Sequence, residues 1–205
     1  MKRSYLITGI ASPAVYAFTV FLGGVLWQDY SHVNQAISEL TATGAPFRLT
    51  LNILFTISLI LAVIFAVNAL RFVRQFNKKV LTAGMGALLT VTTLSLLWAF
   101  FPMDPHGAEP TTAGIIHLVL AGIVSPLTII SPVLVWVGFR KIADFQGYAV
   151  YSLLSAILIF VTGILTVFSA QSGATFFGVY ERLTIGSYQQ WMAGSALFFY
   201  LRWKG

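Results

Sequence analysis

The chain contains no cysteine and very little charge. Without cysteine, disulfides, thiolate metal sites and cysteine nucleophiles are excluded. Charged residues make up 9% of the 205 positions. A soluble domain carries about 25%. A water-facing surface cannot be built from so few, and hydrophobic residues reach 58%. The solvent for most of the chain is therefore lipid. Acids are scarcest, six against twelve Lys and Arg, for a net charge of +6. In a chain of this kind the basic excess reports membrane orientation and does not point to nucleic acid. There is no internal repeat, no low-complexity segment, and no loop long enough to hold a soluble domain.

What is present is a set of six apolar segments, at 5–27, 49–70, 80–101, 113–139, 148–169 and 176–201. Crossing the hydrocarbon takes about 20 residues of helix. Each segment must be helical, because lipid offers an open backbone no partner. The predicted fold is all-α: a polytopic membrane protein, one domain over 1–205, built as a bundle of six transmembrane helices with both termini on the cytoplasmic side. Met1-Lys2-Arg3 resembles the start of a signal peptide. The apolar run that follows is too long for a signal h-region and lacks a small-residue cleavage site, so it is read as a retained first helix. The connections at 71–79 and 140–147 read as short basic hairpin turns, with Asn77-Lys78-Lys79 and Gln146-Gly147 as turn residues.

Numbering the loops alternately sorts the charges. One side receives Lys2, Arg3, Arg71, Arg74, Lys78, Lys79, Arg140, Lys141, Arg202 and Lys204 with one acid, Asp144, leaving +9. The other receives Asp29, Glu39, Asp104, Glu109 and Glu181 against Arg48 and Arg182, leaving −3, together with all three histidines. The positive-inside rule makes the basic side cytoplasmic in a cell membrane, where it also meets anionic lipid. Acids contribute little to that rule, so their gathering on the outer side asks for a second cause.

The first outer loop, 28–48, carries a helical period. Val33, Ala36, Ile37 and Leu40 share one face, and His32, Gln35, Ser38 and Glu39 the opposite one. Asp29 or Ser31 can cap its start, and Gly44-Ala45-Pro46 ends it. The pattern predicts a short amphipathic helix lying flat on the outer surface. In the fourth segment, Ser125-Pro126 and Ser131-Pro132 predict kinks.

Three polar clusters converge on the outer side. Loop 28–48 offers Asp29, Tyr30, Ser31, His32, Ser38 and Glu39. The third loop offers Asp104 and His106, followed by His117, roughly 7 Å deep at 1.5 Å per residue. The sixth segment opens with Glu181-Arg182. On its helix Glu181, Thr184 and Tyr188 fall on one face and Arg182 and Gln189 on the next, a polar arc that must face the bundle interior or water. The candidate ligand-binding residues are thus Asp29, His32, Glu39, Asp104, His106 and His117, with Glu181, Arg182, Tyr188 and Gln189 from the sixth segment. His32, His106, His117 and Asp104 also supply nitrogen and oxygen ligands for a divalent metal, though without HExxH spacing. A serine triad lacks a nucleophile elbow.

One constellation carries a resemblance. Trp27-Gln28-Asp29-Tyr30-Ser31-His32, Ile37-Ser38-Glu39-Leu40, Gly44-Ala45-Pro46 and Asn52 make up its first half. Phe101-Pro102-Met103-Asp104-Pro105, His117 and Glu181-Arg182 complete it. The pattern resembles the bacterial and archaeal membrane proteins grouped as domain of unknown function 998, over nearly the whole chain. The resemblance implies a polytopic membrane protein and supplies no substrate or catalytic assignment. The expected function is an outward-facing polar pocket that binds a small polar ligand or lipid headgroup. The alternatives are a metal-assisted hydrolase of lipids, a structural or regulatory partner of another membrane protein or of a second copy of itself, and a transporter.

Overall fold

The computed structural model describes residues 3–105, 107–172 and 175–203, and among them there is no strand. Six helices follow one another: α1 (Thr8–Leu26), α2 (Arg48–Arg74), α3 (Lys79–Ser95), α4 (Thr112–Phe139), α5 (Gln146–Ser172) and α6 (Phe177–Arg202). A 3-10 turn, Arg3–Ile7, leads into α1, and another, Leu96–Ala99, extends α3. Five of the helices, with these extensions, are long and apolar enough to cross a membrane. The sixth, α6, is diluted by Glu181, Arg182, Thr184, Ser187, Gln189 and Gln190.

Two tight reversals join α2 to α3 and α4 to α5. Each contains a left-handed residue, Asn77 at φ 50° and Asp144 at φ 65°. Short polar side chains tolerate this conformation because they hydrogen-bond locally. With such short connections each helix packs on its chain neighbours, and α6 returns to pack on α1, which closes the six into a ring.

Small residues and hydroxyls set the close approaches, as expected where lipid removes the hydrophobic drive between helices. Ser58 Oγ of α2 donates to the Ser12 carbonyl of α1 at 2.9 Å. Ser131 Oγ of α4 donates to the Gly84 carbonyl of α3 at 2.8 Å. A Cβ on Gly84 would sit 3.3 Å from the Ser131 carbonyl oxygen. Ser131 thus ties its helix to a neighbour next to Pro132, and α4 runs without interruption through both Pro126 and Pro132.

The two ends of the ring differ. At the basic end, aromatic rings fill the interior. Phe139 stacks on Phe145 at 4.6 Å, Phe72 on Phe199 at 4.6 Å, and Tyr148 on Phe198 at 4.5 Å. Phe72, Phe139 and Phe199 are fully buried. The other end is polar and carries loop 1, between α1 and α2, and loop 3, between α3 and α4. Around the outside, Phe18, Phe21, Leu49, Leu118, Leu154 and Phe168 are exposed. Large apolar side chains spread over a whole girdle suit hydrocarbon as solvent.

Loop 1 departs from the expected amphipathic α-helix. Residues 31–35 form a turn and only Ile37–Thr41 is helical, as a single 3-10 turn. Ala36 is extended between them, at ψ 150°. Ala36, Ile37 and Leu40 are buried, as their period suggested, whereas Val33 is exposed.

Candidate functional site

The polar end is organised by the start of α6. Phe176, left-handed at φ 77°, turns the chain into the helix and donates its N–H to Asn34 Oδ1 at 3.3 Å. One turn later Val179 N–H donates to the Val33 carbonyl at 3.2 Å. Gly178 permits this docking, because a Cβ there would lie 2.5 Å from the Gln35 carbonyl oxygen and 2.7 Å from that of His32.

Glu181 and Arg182 then grip loop 1 by its backbone. A Glu181 carboxylate oxygen accepts from Ile37 N–H at 2.6 Å. Arg182 donates from Nη1 to the carbonyls of Gln35, at 2.9 Å, and Gly178, at 2.8 Å. Its Nη2 donates to the Tyr30 hydroxyl, and its guanidinium stands 5.5 Å from the centre of the Tyr30 ring. The Tyr30 hydroxyl in turn donates to the Ala36 carbonyl at 2.7 Å. Burial pushes that phenol up to about 12, against the opposing pull of Arg182, so it keeps its proton at neutral pH.

Competition for backbone groups explains the shape of loop 1. In a continuous helix Ile37 N–H would bond the Val33 carbonyl and Glu39 N–H the Gln35 carbonyl. Instead Glu181 takes the first donor, Val179 takes the Val33 carbonyl, and Arg182 takes the Gln35 carbonyl. Glu39 bends back within the loop, accepting from Ala36 N–H at 2.9 Å and Gln35 Nε2 at 2.8 Å.

His32 is exposed, with its ring edge-on to Tyr30 at 5.1 Å and lying against Gly24 of α1. Partial burial, and then the nearby Arg182 charge, hold its imidazole below the usual histidine value. Asp29, also exposed, lies in the turn that follows α1.

Loop 3 forms a second group. Both Asp104 oxygens accept from Thr111, one from its N–H at 2.9 Å and one from its hydroxyl at 2.7 Å. Thr111 is itself the N-cap of α4, accepting from Gly114 N–H at 3.1 Å. Asp104 therefore acts as a capping residue. The Thr111 bonds, the backbone one foremost, hold its carboxyl below the ordinary range. His117, buried in α4, places Nδ1 2.9 Å from the Phe101 carbonyl oxygen. The two loops are joined through Met103, whose carbonyl accepts from Thr43 N–H at 3.0 Å and whose sulfur accepts from Ser38 at 3.0 Å.

The expected site residues thus separate. His32, Glu39, Glu181 and Arg182 meet around Tyr30 and Gln35, while Asp104 and His117 serve loop 3. His106 lies outside the described residues. Among the described residues no three His, Asp or Glu side chains come together to hold an ion. The one ion pair within 4 Å among them is at the far end, Arg202 with Asp144 at 3.7 Å.

Deeper on α6, Tyr188 and Gln189 lie two turns below Glu181 and Arg182. Tyr188 is buried. The Tyr188 hydroxyl, Gln189 Oε1 and Arg182 Nε are buried without a hydrogen-bond partner among the described residues. Such groups are uncommon, since a buried polar atom left unpaired costs about 1–3 kcal/mol. Tyr16 of α1 lies within electrostatic range of Glu181, Arg182 and Tyr30. Tyr16 and Gln35 were not among the expected site residues. An isolated tyrosine in an apolar run is a faint signal, and a backbone carbonyl such as that of Gln35 carries none.

A family model described as "Protein of unknown function (DUF998)" matches residues 10–197. The chain belongs to the DUF998 family. The matched span runs from α1 to near the end of α6, so it takes in both loops and every element of the polar end. No curated protein and no solved structure matches the chain. DUF998 membership therefore carries the assignment as a family while naming no ligand or reaction.

Proposed function

We propose that this protein crosses the cell membrane six times with both termini cytoplasmic, and that its outer end binds a small polar ligand, free or as the headgroup of a lipid. The observation that carries the binding is three polar atoms of α6 buried without a hydrogen-bond partner among the described residues: Arg182 Nε, the Tyr188 hydroxyl and Gln189 Oε1. Together they offer two donors and two kinds of acceptor. A polar guest meets that requirement, and an apolar one does not.

The sixth span is supported by length and position. α6 has 26 residues and packs on α1 and α5 inside the ring. Its polar residues lower its mean hydropathy while turning toward neighbouring helices. Thr184 lies 3.1 Å from Thr166, and Gln190 Nε2 donates to Ser155 Oγ at 2.9 Å, both on α5. Glu181 and the outer arms of Arg182 hold loop 1 over this region and supply its architecture.

The test is retention of small molecules and lipids by protein purified in mild detergent, read by native mass spectrometry. Tyr188→Phe and Gln189→Leu remove one polar atom group each with little change of volume. Loss of a bound species in both is expected. A species held equally by wild type and both variants, or none held by wild type across several detergents, overturns the reading.

A further inference from the structure

The hairpin between α2 and α3, at the opposite end of the molecule from the polar group, forms a cationic recess. Arg74, Asn77, Lys78, Lys79, Thr82 and Ala83 line a cavity of about 540 Å³. Arg74 ends α2 and Lys79 begins α3, so the recess sits where two apolar spans emerge from the hydrocarbon. We infer that it is a headgroup site for an anionic phospholipid.

Three features converge on that ligand. The first is charge: three cations line one recess and no acid does. Arg74 and Lys79 are exposed, and neither has an acid within ion-pair distance among the described residues. Lys78 is partly anchored, reaching across to the Gly138 carbonyl of α4 at 3.3 Å, which fixes the wall of the recess on that side. The second is hydrogen bonding. Lys79 opens α3, where the N–H groups of Lys79 and Val80 precede the first bonds to the Lys78 carbonyl, from Leu81 and Thr82, and so face the recess end as donors that favour a phosphate. The third is what adjoins the recess. Ala83, Gly86, Ala87 and Thr90 follow at helical spacing along α3, all at least partly exposed. A Cβ added at Gly86 would meet nothing within 4 Å. That strip is shallow enough for an acyl chain to lie along, so headgroup and tail have continuous places. Free phosphate would use the cations and leave the strip idle.

A basic field spread over the whole end of the molecule would also attract anionic lipid, at about 1 kcal/mol per cation, or roughly five-fold in affinity. A site differs from a field in depending on which cations are removed. The experiment compares wild type, R74Q/K79Q and the control R140Q/K141Q, delipidated and then exposed to mixed micelles containing phosphatidylglycerol or phosphatidylcholine. Bound lipid is counted by native mass spectrometry, and melting temperature is recorded alongside.

The expected result is one phosphatidylglycerol retained by wild type and by R140Q/K141Q, with retention reduced more than twenty-fold in R74Q/K79Q and little phosphatidylcholine in any. Equal loss in the two variants would show a diffuse field and overturn the site. Wild-type retention in R74Q/K79Q overturns it as well, and so does stabilisation by inorganic phosphate equal to that by the lipid. The recess is remote from Tyr188 and Gln189, so this result is independent of the ligand proposed at the outer end.

Discussion

Arg182 donates to the carbonyl of Gln35, a residue 147 positions earlier in the chain, at 2.9 Å. The same side chain holds the Gly178 carbonyl and the Tyr30 hydroxyl. One guanidinium thereby couples the last helix to the first loop, and the fork geometry is what allows three acceptors at once.

Arg182→Lys keeps the charge and loses the fork. A hydrogen bond to a charged group contributes about 1.5–3 kcal/mol, so the variant should lose about 2–3 kcal/mol of stability. Limited proteolysis should then cut within 31–43 faster than in wild type. Tyr30→Phe should cut in the same place with a smaller loss, since it removes the donor to Ala36 and one acceptor of Arg182. A loop cut no faster in Arg182→Lys than in wild type would show that the fork is dispensable.

Acidification should loosen loop 1. Folded His32 takes up its proton less readily than the ordinary histidine value of 6.5. The unfolded chain therefore binds more protons as pH drops below 6.5, and folding loses stability from there down to the folded value. Above 6.5 the contribution is constant. Protection against hydrogen exchange in 28–47, corrected for the intrinsic pH dependence of amide exchange, should fall between pH 7 and pH 5.5 through His32, and His32→Asn should flatten that change. Identical pH profiles for the two proteins would remove His32 as the cause.

Asp104 shifts stability in the same sense, in a more acidic window. Its folded value lies below the ordinary 3.8, so its stabilisation is complete above 3.8 and is lost as pH falls through the folded value. At neutral pH Asp104→Ala should raise exchange at the first turn of α4 and leave α1 unchanged. Gly114→Ala should do the same, because a Cβ there collides with the Asp104 carboxylate. Protection of that turn unchanged in both variants would dismiss the capping role.

Reporter fusions test the orientation. Fusions after residues 75 and 143 should be active only as cytoplasmic reporters, and fusions after 42 and 108 only as external ones. The reversed pattern would move the polar end to the cytoplasm.

The helices were legible because hydropathy over about 20 residues is a strong local signal. Their limits moved where polar residues continue a helix into water. The second segment, expected to end at 70, runs to Arg74, since nothing between Arg71 and Arg74 breaks it. The third, expected to reach 101, tightens into the 3-10 turn Leu96–Ala99. The inward turn of the polar arc on α6 was also legible, because lipid excludes it. Loop 1 was not. Its period is helical, and only partners supplied by residues 179–182 draw its carbonyls and amides away from that pairing. Likewise the side chains of Asp104 and His117 suggested chemistry, whereas their nearest partners are a capping threonine and the Phe101 carbonyl.

The grip of α6 on loop 1 also sets an order of events during synthesis. The backbone partners of residues 33–37 are encoded about 145 positions downstream. At roughly 5–20 residues per second, a ribosome needs roughly 7–30 s to make that stretch. During that interval the first loop has already left the insertion machinery while its fastener does not yet exist. The loop reaches its final form only after α6 is made and packs against it, which makes its protection from protease a clock for completed assembly.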